Sequence, residues 1–191
     1  AAAKVRDGRD RDHMFVEGVR LCEEALRSSV AVVTAFVSDE ALTKPRIRKI
    51  VEGLQLLSVP IFETRASVLR TLADTVTPQG IVMVAERPAS LKLNYAAAPI
   101  AYLWQVNDPS NLGAVIRTAE AAGIGGLMLS PNSVSPYSVK SLRASMGSAF
   151  RLPVMENVDP RAALKLAEEN GVEPLATRFG RAVEHFAIDW K

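Results

Sequence analysis

The chain has 191 residues, 48% of them hydrophobic and 23% charged, and its 23 basic and 21 acidic side chains leave a net charge of +2. That composition excludes a disordered polymer, and the length suits one large domain or two small ones. No apolar run reaches the roughly 18 residues of a membrane-spanning helix, the longest, Tyr95 to Val106, being broken by Pro99. Ala1-Ala2-Ala3-Lys4 and the mixed charge after it lack the apolar core of a signal peptide. Cys22 is the single cysteine, so no internal disulfide forms, and with two histidines it is too little for a structural zinc site. The expectation is a cytoplasmic, metal-free globular protein. The sequence lacks an initiator Met, so it is also expected to be part of a longer product.

The elements alternate. His13 to Val16 reads as extended, and Gly18 to Ser28 as a helix with Val19, Cys22 and Leu26 on one face. Val30 to Val37 is β-branched and apolar, the pattern of a strand buried on both faces. Thr43 is placed to cap a helix that has Pro45 in its first turn and Ile47, Ile50, Val51 and Leu54 as its apolar stripe. A strand at Val59 to Phe62, a short helix at Ser67 to Leu72 and a buried strand at Gly80 to Ala85 complete a small α/β unit. From Pro88 to Ala98 the periodicity fails, which marks a linker. The pattern then restarts with a strand at Ile100 to Val106, a helix at Asn111 to Ala122 and a strand at Gly125 to Leu129. A helix at Ser138 to Ser145, a strand at Phe150 to Met155, a helix at Arg161 to Asn170 and a strand at Glu173 to Ala176 follow. Strands alternating with helices imply βαβ units and mostly parallel pairing, in two α/β domains: 1–88, a linker 89–98, and 99–191.

Two kinds of feature carry chemistry. Lys44, Arg46, Arg48 and Lys49 form an uncompensated basic cluster, either a solvated helix face or a phosphate-contacting one. Arg6, Arg9 and Arg11 alternate with Asp7, Asp10 and Asp12, so that arm is locally neutral. More informative is Asn107 to Gly123, which follows a strand and opens a helix where open α/β sheets bind ligands. Ser110 or Asn111 is placed to cap its free amides. Gly113 and Arg117, four apart, share a helix face. Either the glycine opens the guanidinium to a substrate or another backbone, or it only lets the helix pack on the sheet while Arg117 reaches water. Glu120 is placed to orient Arg117 by an ion pair.

The pattern Asn-x-Gly-x-x-x-Arg-x-Ala-Glu at residues 111–120, after an Asp-Pro, resembles the first signature of the SpoU family of RNA ribose 2′-O-methyltransferases. Val139 to Val154, with Arg143-Ala144-Ser145-Met146-Gly147, is similar to that family's R-A-S-x-G helix and the strand after it. Phe15 to Leu21 and Gly80 to Ala85 are similar to the substrate-binding domain that precedes SpoU catalytic domains. The resemblance implies a small N-terminal α/β RNA-binding domain and a parallel-sheet α/β catalytic domain whose C-terminal trefoil knot binds S-adenosylmethionine. It implies a homodimer acting on ribosomal RNA ahead of transfer RNA. Carried onto this chain, Arg117 acts on the target ribose hydroxyl and Asn111 shapes that site. A guanidinium holds its proton far above neutral pH and is a poor base, so Arg117 is read as orienting the hydroxyl and phosphate and stabilising developing alkoxide; to accept a proton it would first need its pKa strongly depressed by the site.

Arg143 is a second RNA contact or, equally, a surface or dimer-interface arginine. Arg9, Arg11, Arg46, Arg48 and Lys49, with Arg6, are phosphate candidates in the RNA-binding domain. Thr177, Arg178 and Gly180 resemble the first loop of the cofactor pocket. Ser145 and Gly147 read as close-packing residues, His13 as a surface residue and Cys22 as core. The family's later signatures, Gly-x-Glu and Ser-Leu-Asn, do not occur before Lys191. The chain as written is therefore expected to bind S-adenosylmethionine poorly and not to turn over. A non-catalytic RNA-binding protein is the alternative reading. A third, an unrelated nucleotide-binding enzyme, lacks any glycine-rich phosphate loop to support it.

Overall fold

The computed structural model describes residues 2–88, 92–96, 99–177, 184 and 187–188. A first sheet contains β1 (His13–Glu17), β2 (Val32–Ser38), β3 (Ile61–Thr64) and β4 (Ile81–Glu86), in the order β1-β4-β2-β3. β2 and β3 run parallel, whereas β4 is antiparallel to both β1 and β2. The mostly parallel pairing expected therefore fails in this sheet, at β4. After β3 the short helix α4 (Ala66–Leu72) leads into the loop 73–80, which stays at the edge where β1, β2 and β3 end. The chain must enter β4 from that edge.

The continuous apolar run of β4 is explained by burial on both faces. Met14, Val16, Ala35, Val37, Ile81, Met83 and Ala85 face the helices α2 (Val19–Arg27) and α3 (Pro45–Leu56), which contribute Leu21, Cys22, Ala25, Ile47, Ile50 and Leu54. Phe15, Val82 and Val84 face the other way, onto Leu69 of α4 and Ala2 and Val5 of α1 (Ala2–Arg6). That first helix was hidden in sequence by the charges after it. Arg6 does not face solvent: its guanidinium donates to the Thr71 and Leu72 carbonyls at 2.9 and 3.2 Å, closing the end of α4. β2 is less enclosed than its composition suggests, with Val33 exposed. Thr43 does not cap α3. Its hydroxyl donates to the Glu40 carbonyl at 2.8 Å within a 3₁₀ turn over Asp39–Thr43, and Lys44 stands at the cap position.

The second sheet is fully parallel: β5 (Ile100–Leu103), β6 (Gly126–Leu129) and β7 (Val154–Met155), in that order. α5 (Pro109–Ala121) links β5 to β6, α6 (Val139–Ser145) lies between β6 and β7, and α7 (Pro160–Glu169) follows. The strand expected from Phe150 shrinks to two residues. Phe150 is spent in a 3₁₀ turn over Ser148–Phe150, and Pro153 has no N–H to donate to a ladder. Residues 173–177 form no strand and are exposed, because no neighbour pairs with them among the described residues. Within the segment read as a linker, Leu93 is buried with Met128 and Val158, and the Asn94 amide donates to the Gly125 carbonyl at 3.0 Å.

The two sheets pack through α6. β1 is an edge strand, and α6 lies against it, with Val139 buried beside Phe15, Val82 and Val84. An edge covered by a helix cannot recruit a foreign strand. Arg87 strengthens the junction, its guanidinium 5.5 Å from the centre of the Tyr137 ring and 3.8 Å from Glu156.

Candidate functional site

α5 begins where the sequence places the first signature, but its cap is neither Ser110 nor Asn111. Pro109 occupies the first turn, where its missing N–H costs nothing, and Asp108 accepts from the Asn111 amide at 2.7 Å. The Asn111 residue is exposed and occupies the helix's third position. Leu112, Gly113, Ile116 and Ala119 form the buried face, while Arg117 lies at its rim and is exposed. Asn111 and Arg117 are six residues apart, about 9 Å along the axis, and share no hydrogen bond.

Gly113 decides how α5 sits. A Cβ there would overlap the Ala144 Cβ and come within 2.6 Å of the Ser141 carbonyl oxygen and 2.8 Å of the Ser145 amide. The glycine lets two helix backbones touch: at Gly113 α5 meets α6, while Leu112, Ile116 and Ala119 share a core with Leu127 and Leu129 of β6. The Ser145 side chain is buried and donates to the Leu142 carbonyl at 2.9 Å. Met146 ends α6 with φ 53°, and Gly147 follows with φ 95°. A Cβ on Gly147 would lie 2.7 Å from Glu24 Cβ of α2. The R-A-S-x-G stretch is thus a close-packed turn, and Ser145 and Gly147 are packing residues.

The carboxylate expected to hold Arg117 is engaged elsewhere. Glu120 pairs with Arg151, whose Nε and Nη2 grip both carboxylate oxygens, the latter at 3.0 Å. That fork holds the Glu120 carboxyl below the usual carboxylate range. Arg151 Nη1 reaches across to α2, donating to Ser28 Oγ at 2.8 Å and Glu24 Oε2 at 3.2 Å. Sequence reasoning missed this hub because its partners lie 31 and 127 residues away. Arg117 is left with a soft contact: Nη1 is 3.4 Å from Met146 Sδ.

The remaining candidates separate. Arg143 donates from Nη2 to Asp74 of the first half at 2.9 Å, and its enclosed Nη1 has no partner among the described residues. It lies at the junction rather than on an open face. Arg46 is not uncompensated, since Glu23 of α2 takes its guanidinium at 2.6 and 2.9 Å. Arg48 and Lys49 are exposed on α3. Arg9 and Arg11 are exposed ahead of β1, at the opposite end of the sheet from the start of α3. These residues do not form one patch. His13 is half-buried, hydrogen-bonded through Nδ1 to Asp10. Thr177 is exposed outside any helix or strand, and Arg178 and Gly180 lie outside the described residues. Of the three residues assigned to S-adenosylmethionine, only Thr177 is among the described residues. Among those residues, no three His, Cys, Asp or Glu side chains cluster to hold a metal.

Two adjoining clefts flank the loop before β4. One, of about 310 Å³, lies between the β1–α2 turn, the loop and α6, and includes Arg20, Arg143 and Met146. The other, of about 320 Å³, lies over the end of β2 and includes Ser38, Lys44 and Arg70. Glu17, buried at the first, accepts from the Asp74 and Thr75 amides at 2.7 and 3.2 Å and from the Thr75 hydroxyl, so its charge is satisfied by the loop.

Residues 15–91 match the family profile described as RNA 2′-O ribose methyltransferase substrate binding, and residues 98–191 match the SpoU rRNA methylase family. The chain belongs to the SpoU family. Among curated relatives of this SpoU protein, the 23S rRNA (guanosine(2553)-2′-O)-methyltransferase RlmP of Bacillus subtilis is 35% identical over 166 residues, covering 85% of this chain and 61% of that one. The human mitochondrial rRNA methyltransferase 3 is 28% identical over 189 residues, covering 90% of this chain and 44% of that protein. The SpoU chain therefore spans less than two thirds of either relative. An rRNA methyltransferase structure from Sinorhizobium meliloti superposes with a TM-score of 0.78 at 24% identity, covering 98% of this chain and 73% of that one. That likeness carries the fold, an α/β arrangement.

Proposed function

We propose that this protein methylates a ribose 2′-hydroxyl of ribosomal RNA, using S-adenosylmethionine, with residues 1–88 as the substrate unit and 99–191 as part of the methyltransferase unit. The carrying observation is the state of Arg117. Its helix is fixed by backbone-to-backbone packing on α6, yet among the described residues its guanidinium meets only a thioether, a weak acceptor. Arg46, Arg143 and Arg151 all hold carboxylates. Arg117 is an anchored cation with donors to spare, as a group acting on phosphate or on a developing alkoxide requires.

S-adenosylmethionine supplies a methyl group already activated on a sulfonium. The protein's own task is then positioning. Arg117 orients the ribose hydroxyl and the adjoining phosphate, and it stabilises the negative charge that grows on oxygen. It does not take the proton, because a guanidinium has no lone pair to offer at neutral pH; the hydroxyl proton leaves to solvent water as the methyl group is transferred. Asn111, exposed on the first turn of the same helix, is assigned to shaping that site. The homodimer, the trefoil knot and the cytoplasmic setting in this reading rest on the sequence and its resemblance.

The test is methyl transfer from labelled S-adenosylmethionine to ribosomal RNA and, in a second arm, to transfer RNA by the full-length protein. Arg117→Ala is expected to reduce turnover at least 100-fold, as loss of one oxyanion donor does, with RNA affinity nearly unchanged. Near-normal turnover in that variant refutes the assigned role. RNA binding without methyl transfer by the wild type supports the non-catalytic reading instead.

A further inference from the structure

We propose that the two clefts flanking the 73–80 loop form a track for single-stranded RNA that runs across the edge of the first sheet to Arg117. The inference rests on the RNA-methylating reading above and adds to it the surface that takes the strand. β1, β2 and β3 all end at this edge, the rim where open α/β sheets bind their ligands. The clefts share Thr77 and Gln79, so they are one depression divided by the loop. Each contains two cations: Lys44 and Arg70 in the outer, Arg20 and Arg143 in the inner. Lys44 Nζ also reaches the Gln79 carbonyl at 3.4 Å, on the dividing loop.

The opposing carboxylates are few and mostly engaged. Glu17 is taken up by the loop amides, Asp74 holds Arg143, and Glu40 at the outer cleft is the remaining one. The inner cleft leads onward, because Met146 is part of its wall and Arg117 Nη1 contacts the Met146 sulfur. At about 310 and 320 Å³ each cleft is at the small end of ligand pockets, with room for one nucleotide. A single strand can place phosphates on the cations and splay its bases, as sequence-tolerant RNA grooves do. Three other arginines named from sequence are worse placed: Arg46 is gripped by Glu23, and Arg9 and Arg11 lie at the other end of the sheet.

The experiment measures binding of the full-length protein to a labelled single-stranded oligoribonucleotide, and to its duplex, over a salt series. Lys44→Glu with Arg70→Glu is compared with Arg9→Glu with Arg11→Glu. All four side chains are exposed, and thermal melting confirms that each variant is folded. The first pair is expected to weaken single-strand binding at least 10-fold and to lower the log–log salt slope by about 1.4, roughly 0.7 for each lost phosphate contact. The second pair should stay within twofold. Equal losses in both pairs, unchanged binding in the first, or tighter binding of duplex than of single strand overturns the track. If the first pair binds normally while the wild type methylates RNA, the track alone fails. If the wild type binds through these residues but transfers no methyl group, the track stands and the enzymatic reading fails.

Discussion

Gly113→Ala is the sharpest test of how the site is built, because two effects of known sign oppose each other. In an exposed helix interior the substitution stabilises by about 1 kcal/mol through helix propensity. Here the new methyl group would stand 2.6 Å from the Ser141 carbonyl oxygen, which is 0.8 Å short of the 3.4 Å where ordinary contact begins, and 2.8 Å from the Ser145 nitrogen. Both are backbone atoms and cannot rotate aside. α6 cannot retreat either, since Val139 is buried against the first sheet and Gly147 lies against Glu24. Overpacking of this kind costs about 1–3 kcal/mol, and the rigid wall puts it at the upper end. The net expectation is a loss of about 1–2 kcal/mol, read by urea unfolding, with a Tm drop of roughly 2–6 °C. Adding Ala144→Gly removes only the overlap of the two methyl carbons, so the double variant should recover part of the loss and not all of it. A Gly113→Ala protein more stable than wild type would refute the backbone contact. Activity supplies a second reading: α5 can accommodate the methyl group only by moving, and a shift near 1 Å at Arg117 should cost about 100-fold in turnover.

Two further outcomes follow from the same contacts. Arg151 lowers the Glu120 carboxyl, and a depressed acid contributes stability that is present above its unfolded pKa of about 4.3 and lost as pH falls through the folded value. Acid unfolding between pH 5 and 3 should therefore be shallower in Arg151→Ala than in wild type, and its stability at pH 7 lower by about 1 kcal/mol for a partly exposed fork; an unchanged acid limb would show that the pair contributes nothing. Burial pushes the Cys22 thiol far up, and the side chain is inaccessible, so a thiol reagent at pH 8 should label it only as fast as the protein unfolds. Labelling at the rate of a free thiol would contradict the packing of α2.

Much of the fold was legible because local chemistry and final position agree. β4 reads as a five-residue apolar run and is buried on both faces. α5 reads from its strand, its Asp-Pro and its periodicity, and begins at Pro109. Its cap was legible too, in Asp108 just ahead of Pro109, although Ser110 and Asn111, residue types that cap equally well, follow it. The direction of β4 was not legible, since nothing in an apolar run says from which end it is entered. Nor were the partners of the arginines. Arg46 finds Glu23 and Arg143 finds Asp74 by tertiary packing, over separations of 23 and 69 residues. A charge count treats all arginines alike, whereas the fold assigns some to carboxylates and leaves Arg117 with a sulfur.

That assignment has a consequence for how capture and chemistry are coupled. The helix bearing Arg117 is clamped from two sides, by α6 at Gly113 and by Arg151 at Glu120, one turn beyond the guanidinium. Both clamps continue into the first half of the chain, α6 through Val139 and Arg143, and Arg151 through Glu24 and Ser28. The β1–α2 turn at the inner cleft is therefore tied to the helix that bears Arg117 through two independent sets of side-chain contacts. A strand caught on the proposed track would not need to search for the helix that bears Arg117. Its position relative to Arg117 would be set before any RNA arrived, and under the methyl-transfer reading positioning is the contribution that a pre-activated methyl donor leaves to the protein.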